Sequence, residues 1–452
     1  MPHASSAQVA SRQPTHIRRL LQERLDTLAR THQVPGAQLA VQVDSVTYTV
    51  QTGEADVSTG EMFTADTAVP LGSVTKPYTA AVVQLLADDG DLALTDLVGT
   101  HVPELRRAPH LTVRQLLSHT GGLPTGPDSD DAAPLSPARY LSSYCSGRDV
   151  VCTPGSGFSY SNAGYVAAGR LIEAVTGMPW QDAVRALLLE PLGTVPAFLG
   201  DRAPTRPVAR GHSVNTTSGR VLPVQQNLAP VEAPAGALLA SALDLVALGR
   251  TLTGHGPRTV LTPDAAEEMR RPVPGAAPGV LADAWGLGLA LFQQGAQQWC
   301  GHDGNAQGTS CHLRAEPDSG TVVAFTSNAN NGTALWHELA EDLDRITGVQ
   351  VPSAARRSER GRAVALLPQC AGTYHNGTVE YRVAADADGS LTLTVNGDTP
   401  APLVCYPDLT CDLVDPASGR RHPGGRFVRD PDSGAIDRVQ ISGRTARRTV
   451  TA

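Results

Sequence analysis

The chain has 452 residues, 41 % of them hydrophobic and 18 % charged, with a formal net charge of −8. That is an ordinary soluble composition, long enough for more than one folding unit. The basic residues are scattered rather than gathered into a groove, and no apolar run reaches the length of a membrane-spanning helix, so neither nucleic acid nor a membrane is an expected partner.

In chain order, residues 1–14 are polar and small, without the apolar core of a secretory signal. Seven cysteines lie far apart, at Cys145, Cys152, Cys300, Cys311, Cys370, Cys405 and Cys411. An odd, dispersed set with no leader reads as reduced thiols in a cytoplasmic protein. Ile17, Leu20, Leu21, Leu25 and Leu28 recur at helical spacing, which predicts an amphipathic helix over His16–Thr31. Leu39–Val43 and Tyr48–Val50 read as paired strands. A helix is expected from Ser73 to about Ala87, with Pro77 in its first turn, where a missing N–H matters least. Residues 95–280 mix short helices with Pro- and Gly-rich loops. Trp285–Leu291 and Thr321–Phe325 have strand character, and Leu335–Ile346 has helical periodicity. Pro352–Arg362 has the composition of a linker, placing domain boundaries at 1–350, 351–362 and 363–452. Beyond it, Tyr381–Val383, Leu391–Val395, Phe427-Val428 and Val439–Ile441 are short β-like runs, with turn signals at Asp388-Gly389 and Asn396-Gly397. An all-β domain of barrel or sandwich type is expected there.

Lys76 is the only lysine; every other one of the 36 basic side chains is arginine. Arginine stays protonated at any pH a protein meets, whereas lysine can lose its proton and then accept another. Lys76 follows Ser73 by three residues, in Gly72-Ser73-Val74-Thr75-Lys76-Pro77-Tyr78. On a helix these share a face, so the amine can reach the hydroxyl, as in a Ser–Lys nucleophile pair. A second candidate is Tyr160-Ser161-Asn162, on a loop rich in Gly and Ser before a helix that runs to about Val175. Taken alone, this segment reads more simply as a packed tyrosine and a helix-capping asparagine. A third is Gly301-His302-Asp303-Gly304 before Asn305, between two strand regions; its glycines are expected to let a substrate backbone come close. Cys300, His302, Cys311 and His312 could be read as metal ligands, but their spacing fits no standard zinc site, so no metal is assigned.

Ser-x-x-Lys, Tyr-x-Asn and His-x-Gly in this order resemble the serine penicillin-recognising superfamily, which includes penicillin-binding proteins, class C β-lactamases, esterases and D-amino-acid peptidases. Two further segments, Leu116-Leu117-Ser118-His119-Thr120-Gly121-Gly122-Leu123-Pro124 and Pro234–Leu245, are similar to its structural loop and its glycine turn with the following helix. The resemblance spans about residues 15–350. It implies an α/β sandwich of β-lactamase type, an antiparallel sheet flanked by helices with an inserted helical subdomain, and no cofactor. It implies that Ser73 is the acylated nucleophile and that Lys76, neutral at rest, helps take its proton. Tyr160 would shuttle protons, and Asn162 would hold Lys76 and bind a substrate amide. The backbone N–H groups of Ser73 and Asn305 would form the oxyanion hole, with Gly304 and Asn305 against the substrate. The commonest third motif is Lys-Thr-Gly; His302 in its place makes binding of a free substrate carboxylate, and β-lactam hydrolysis, less expected.

A cytoplasmic member needs an intracellular acyl donor. The chain is similar in layout to the penicillin-binding-protein-type thioesterases of nonribosomal peptide pathways, which carry a lipocalin-like β domain after the catalytic one. That resemblance implies release and head-to-tail cyclisation of a peptide from a peptidyl carrier protein, at a D-residue. A cytoplasmic esterase or D-amino-acid peptidase with the same machinery is the alternative. A non-catalytic binding protein fits poorly, since it has no need of its one lysine beside that serine.

Overall fold

A computed structural model describes residues 13–106, 110–145, 147, 150–352, 364–415 and 419–449. The chain forms two compact units: one of 1–94, 168–271 and 286–353, the other of 95–167, 272–285 and 354–452. Among the described residues no helix is long and apolar enough to cross a membrane.

The first unit is built on an antiparallel sheet. Its strands run, from one edge, Glu61–Met62, Val46–Asp56, Gly36–Val43, Thr321–Ser327, Ser310–Glu316, Gln297–Gly304 and Ala290–Gln294. The central strands are buried on both faces, as the all-buried pattern of Thr321–Ser327 and Ser310–Glu316 requires. The helix Ala242–Leu252 covers one face. Its Gly249 lets it press on Val322, where a Cβ would fall 2.5 Å from a valine methyl. The other face carries the helix Gly332–Thr347, whose Trp336 lies over His312 and Phe325. The helix Pro14–Thr31 packs beside it and buries Ile17, Leu21, Leu25 and Leu28 of the expected stripe, with Leu20 half-buried at its edge.

One strand expectation needs correcting. Trp285 closes a short strand, Ala284–Trp285, and the extended run resumes at Ala290; between them Gly286–Leu289 is a tight turn, with Gly286 N–H on the Leu289 carbonyl and Gly288 at φ +72°. A left-handed glycine stops the extended run that the apolar residues around it suggest.

In the second unit, residues 95–167 form short helices and loops, among them Val113–Leu117, started by a capping box of Thr112 and Gln115. The C-terminal strands close an antiparallel barrel from Gly372–Asn376 to Arg444–Arg448. Tyr374 pairs with Arg448 to seal it. Tyr374, Tyr381, Leu391, Leu393, Phe427 and Val439 pack its interior. Both turn signals hold: Asn396 and Gly397 have φ of 49° and 80°, and Gly389 has 82°. The linker expected over 351–362 lies almost wholly outside the described residues.

Candidate active site

The first unit carries Ser73, Lys76, His302, Gly304 and Asn305. Gly72–Val74 is a single 3₁₀ turn leading into the helix Thr75–Asp88, so Ser73 stands at the helix entrance and Lys76 one turn on. Lys76 is fully buried. Its Nζ lies 3.1 Å from Ser73 Oγ and donates to the Ala235 carbonyl at 2.9 Å. The segment supplying that carbonyl is held by the same helix: Thr79 Oγ1 donates to Pro234 O at 2.8 Å, and Leu238 N–H donates to Thr75 Oγ1 at 3.1 Å. The glycine turn that the sequence shows only as a flanking motif thus supplies a partner to the lysine.

The strand Gln297–Gly304 ends against the serine turn. A Cβ on Gly304 would fall 2.1 Å from Leu71 O, and one on Gly72 would fall 2.2 Å from Asn305 O. These two positions bring the Asn305 backbone onto the Gly72-Ser73 turn. These glycines permit a close approach of the protein's own backbone: a Cβ on Gly301 would likewise fall 1.9 Å from the Leu313 carbonyl oxygen.

His302 is buried, and its Nδ1 sits 2.6 Å from the Asp303 carbonyl. Nδ1 is therefore the protonated nitrogen and Nε2 the basic one. Burial first, and the neighbouring Lys76 second, push His302 down to about 3. Strand alternation puts Asp303 on the opposite face, where Arg314 grips it with two bonds of 2.7 and 3.0 Å and His312 Nδ1 adds a third at 2.7 Å. Desolvation would raise this carboxyl, but Arg314 and His312 outweigh it and hold it well below the usual range. His312 stacks flat on Trp336 at 5.0 Å. Cys300, His302, Cys311 and His312 are thereby divided between the two faces of the sheet, which is no ligand set. Burial lifts the Cys300 thiol to about 12 and Cys311 higher still.

The second unit carries Tyr160 and Asn162. The helix begins at Asn162, but its cap is Ser161, whose Oγ accepts Gly164 N–H at 2.8 Å. Asn162 is therefore not the capping residue that the segment alone suggests; its Oδ1 is buried without a hydrogen-bond partner among the described residues. Tyr160 is buried against His119 at 4.3 Å between ring centres, with Trp285 at 6.0 Å. His119, in the flanking loop, has φ +58°, accepts Ser161 N–H on Nδ1 at 3.1 Å and accepts Ser159 N–H on its carbonyl. From the barrel, the Arg444 guanidinium lies 5.3 Å over the Tyr160 ring. No sequence signal marks Arg444, which is 284 positions away along the chain. Asp303 could have been found by strand alternation from His302, and His119 from its motif.

The family model described as Beta-lactamase matches residues 17–345. Penicillin-binding protein 4 of Amycolatopsis lactamdurans is 34 % identical over 373 residues, 78 % of this chain and 96 % of that one. Among solved structures, SurE superposes with a TM-score of 0.84 at 37 % identity, covering 96 % of this chain and 99 % of that one; SurE is also solved with D-Leu. The D-amino acid amidase of Ochrobactrum anthropi SV3 superposes at 0.60 with 25 % identity, over 74 % of this chain and 97 % of that one. The chain belongs to the beta-lactamase family, as a penicillin-binding-protein-like serine hydrolase.

Proposed function

We propose that the protein releases a peptide from a cytoplasmic carrier protein as a head-to-tail macrocycle, through an ester on Ser73, and that the residue joined to Ser73 is of D configuration. The observation that carries the acyl-enzyme reading is the buried Ser73–Lys76 pair at 3.1 Å. An amine that donates to Ala235 O can turn its lone pair toward Ser73 Oγ–H and take the proton. Oγ then attacks the thioester carbonyl. The Oγ–C bond forms, the C–S bond breaks, and the thiolate leaves with a proton delivered by Tyr160, which regains it from Lys76. The oxyanion is met by the N–H groups of Ser73 and Asn305, each worth roughly a hundredfold or more in rate. The peptide's own amine next attacks the ester. The C–N bond forms, the C–O bond breaks, and the amine's proton returns to Ser73.

Neutral His302 takes the place of the usual cationic third motif, which favours an uncharged acyl donor over a free carboxylate. The D configuration is supported by the likeness to SurE, solved with D-Leu, and to an amidase of D-amino acids. That last likeness equally favours a second reading, hydrolysis at D-centres. Both share the acyl-enzyme and part at the nucleophile: a cyclase must hold the amine at high effective concentration against water.

The test is a peptidyl thioester with a free amine and a C-terminal D-residue. A product one water lighter than the linear acid, an adduct on Ser73 absent from Ser73→Ala, and much slower turnover of the L-epimer are expected. Linear acid alone from a range of D-ended peptides would leave the hydrolase.

A further inference from the structure

The barrel touches the Tyr160 loop with buried polar groups, residue by residue. Tyr160 N–H donates to the Gly443 carbonyl at 2.9 Å. The Phe158 carbonyl accepts from Thr445 Oγ1 at 2.8 Å and from Gln440 Nε2 at 3.1 Å. Ser159 Oγ accepts from Thr445 N–H and from Asn376 Nδ2, both at 3.3 Å. Asn376 is fully buried and joins three segments: its Oδ1 takes Thr125 N–H at 2.7 Å, and its Nδ2 also reaches Thr445 O at 2.7 Å. Thr125 in turn accepts the Asn162 and Ala163 N–H groups on its carbonyl.

The barrel element responsible is the turn between the strands Ile436–Ile441 and Arg444–Arg448. Its central residues, Ser442 and Gly443, have φ of 46° and 76°, the tight hairpin that needs two left-handed residues. Gly443 takes a φ that favours glycine, and a Cβ there would also fall 2.3 Å from a Leu281 methyl. A linker-borne accessory domain has no need of such contacts. Each of these buried groups would be left without a partner if the barrel withdrew, and a loop that has lost them is no longer held in one place.

We propose that the barrel is the positioning element for Tyr160, with Thr445 and Gln440 acting on the Phe158 carbonyl and Asn376 on the Ser159 hydroxyl and the Thr125 N–H as positioning residues. The inference rests on the reading of Tyr160 as the proton carrier to the leaving group. It sets the barrel's contribution in the chemical step and not only in handling a large peptide.

The test uses the full chain and two small esters of one N-acyl D-amino acid. The methyl ester needs a proton on its leaving group; the p-nitrophenyl ester does not. Asn376→Ala and Thr445→Val are expected to lower kcat for the methyl ester about ten- to a hundredfold, with KM little changed. The p-nitrophenyl ester is expected to lose much less, and Thr445→Ser to recover most of the rate. In a Tyr160→Phe background, Asn376→Ala should cost nothing further. Equal losses on both esters that add to those of Tyr160→Phe would reduce the contacts to general stability and overturn the inference. So would wild-type methyl-ester turnover by the barrel variants while Tyr160→Phe is impaired. Unimpaired Tyr160→Phe would instead overturn the reading of Tyr160 and take the inference with it. Should Asn376→Ala not fold, the Thr445→Val and Thr445→Ser pair decides alone.

Discussion

Gly72→Ala should abolish most of the activity. Gly72 has φ +52°, and an added Cβ would meet Asn305 O at 2.2 Å, its carbonyl carbon at 2.5 Å and Ala306 N at 3.1 Å. A left-handed backbone costs a residue with a Cβ about 1–2 kcal/mol. The contact is the larger problem, because backbone on one side and backbone on the other cannot swing away as a side chain could. Relief requires the 305–306 peptide to retreat by about 1 Å, a displacement that costs on the order of a hundredfold in rate when it misplaces a reacting group. The Asn305 N–H proposed as an oxyanion donor sits on the adjoining 304–305 peptide, and its displacement costs in the same range. Gly90→Ala is the control: Gly90 has φ +83° with nothing within 4 Å of its built Cβ, so it bears the backbone cost without the clash. Thermal unfolding should show a loss of a few degrees in Gly90→Ala and a larger one in Gly72→Ala. Ser73 acylation by an activated ester, followed by intact-protein mass, should fall about a hundredfold in Gly72→Ala alone. Acylation at the wild-type rate in Gly72→Ala would refute the placement of Asn305 beside the nucleophile.

Lys76→Arg should be about as inactive as Lys76→Ala, each slower by roughly a hundred- to ten-thousandfold in Ser73 acylation, because a guanidinium keeps the charge and has no lone pair to take the proton. Near-normal rates in the arginine variant would make the lysine a charge only. His302 should make stability pH-dependent. Burial and Lys76 hold it at about 3, against 6.5 in the unfolded chain, so between these values only the unfolded chain takes up the proton. Its contribution is intact above about pH 6.5 and is lost as pH falls toward 3, at no more than about 1.4 kcal/mol per pH unit. Denaturant titrations of His302→Gln across pH 4–7 should show a shallower slope than the wild type; an unchanged slope would mean that His302 titrates normally in the fold.

The helices and strands around Ser73 were readable because their patterns are local. The stripe from Ile17 to Leu28 is a periodicity of a single helix, and Ser73 with Lys76 is a spacing within one turn. Asn396-Gly397 was readable because a two-residue turn needs particular residues wherever it occurs. Gly286–Leu289 misled because its apolar residues look like a strand until Gly288 takes a left-handed φ. Asn162 misled because the capping role fell to the serine before it. The Ser442-Gly443 turn passed unmarked, since nothing nearby in the chain tells what it will touch.

By itself the sequence determined the acyl-transfer chemistry on offer, through a lone lysine one helical turn from a serine, and the class of fold, through the order of three short motifs. Both are properties of residues close together in the chain or of their order along it. Only the tertiary structure decided what surrounds them. It put the Ala235 carbonyl on Lys76, the Asn305 backbone on Gly72, Arg314 and His312 on Asp303, and the barrel's Asn376, Gln440 and Thr445 on the loop of Tyr160. These pairs are separated by up to 287 positions. A buried donor or acceptor takes whatever partner the packing brings to it, and packing is a property of the whole chain.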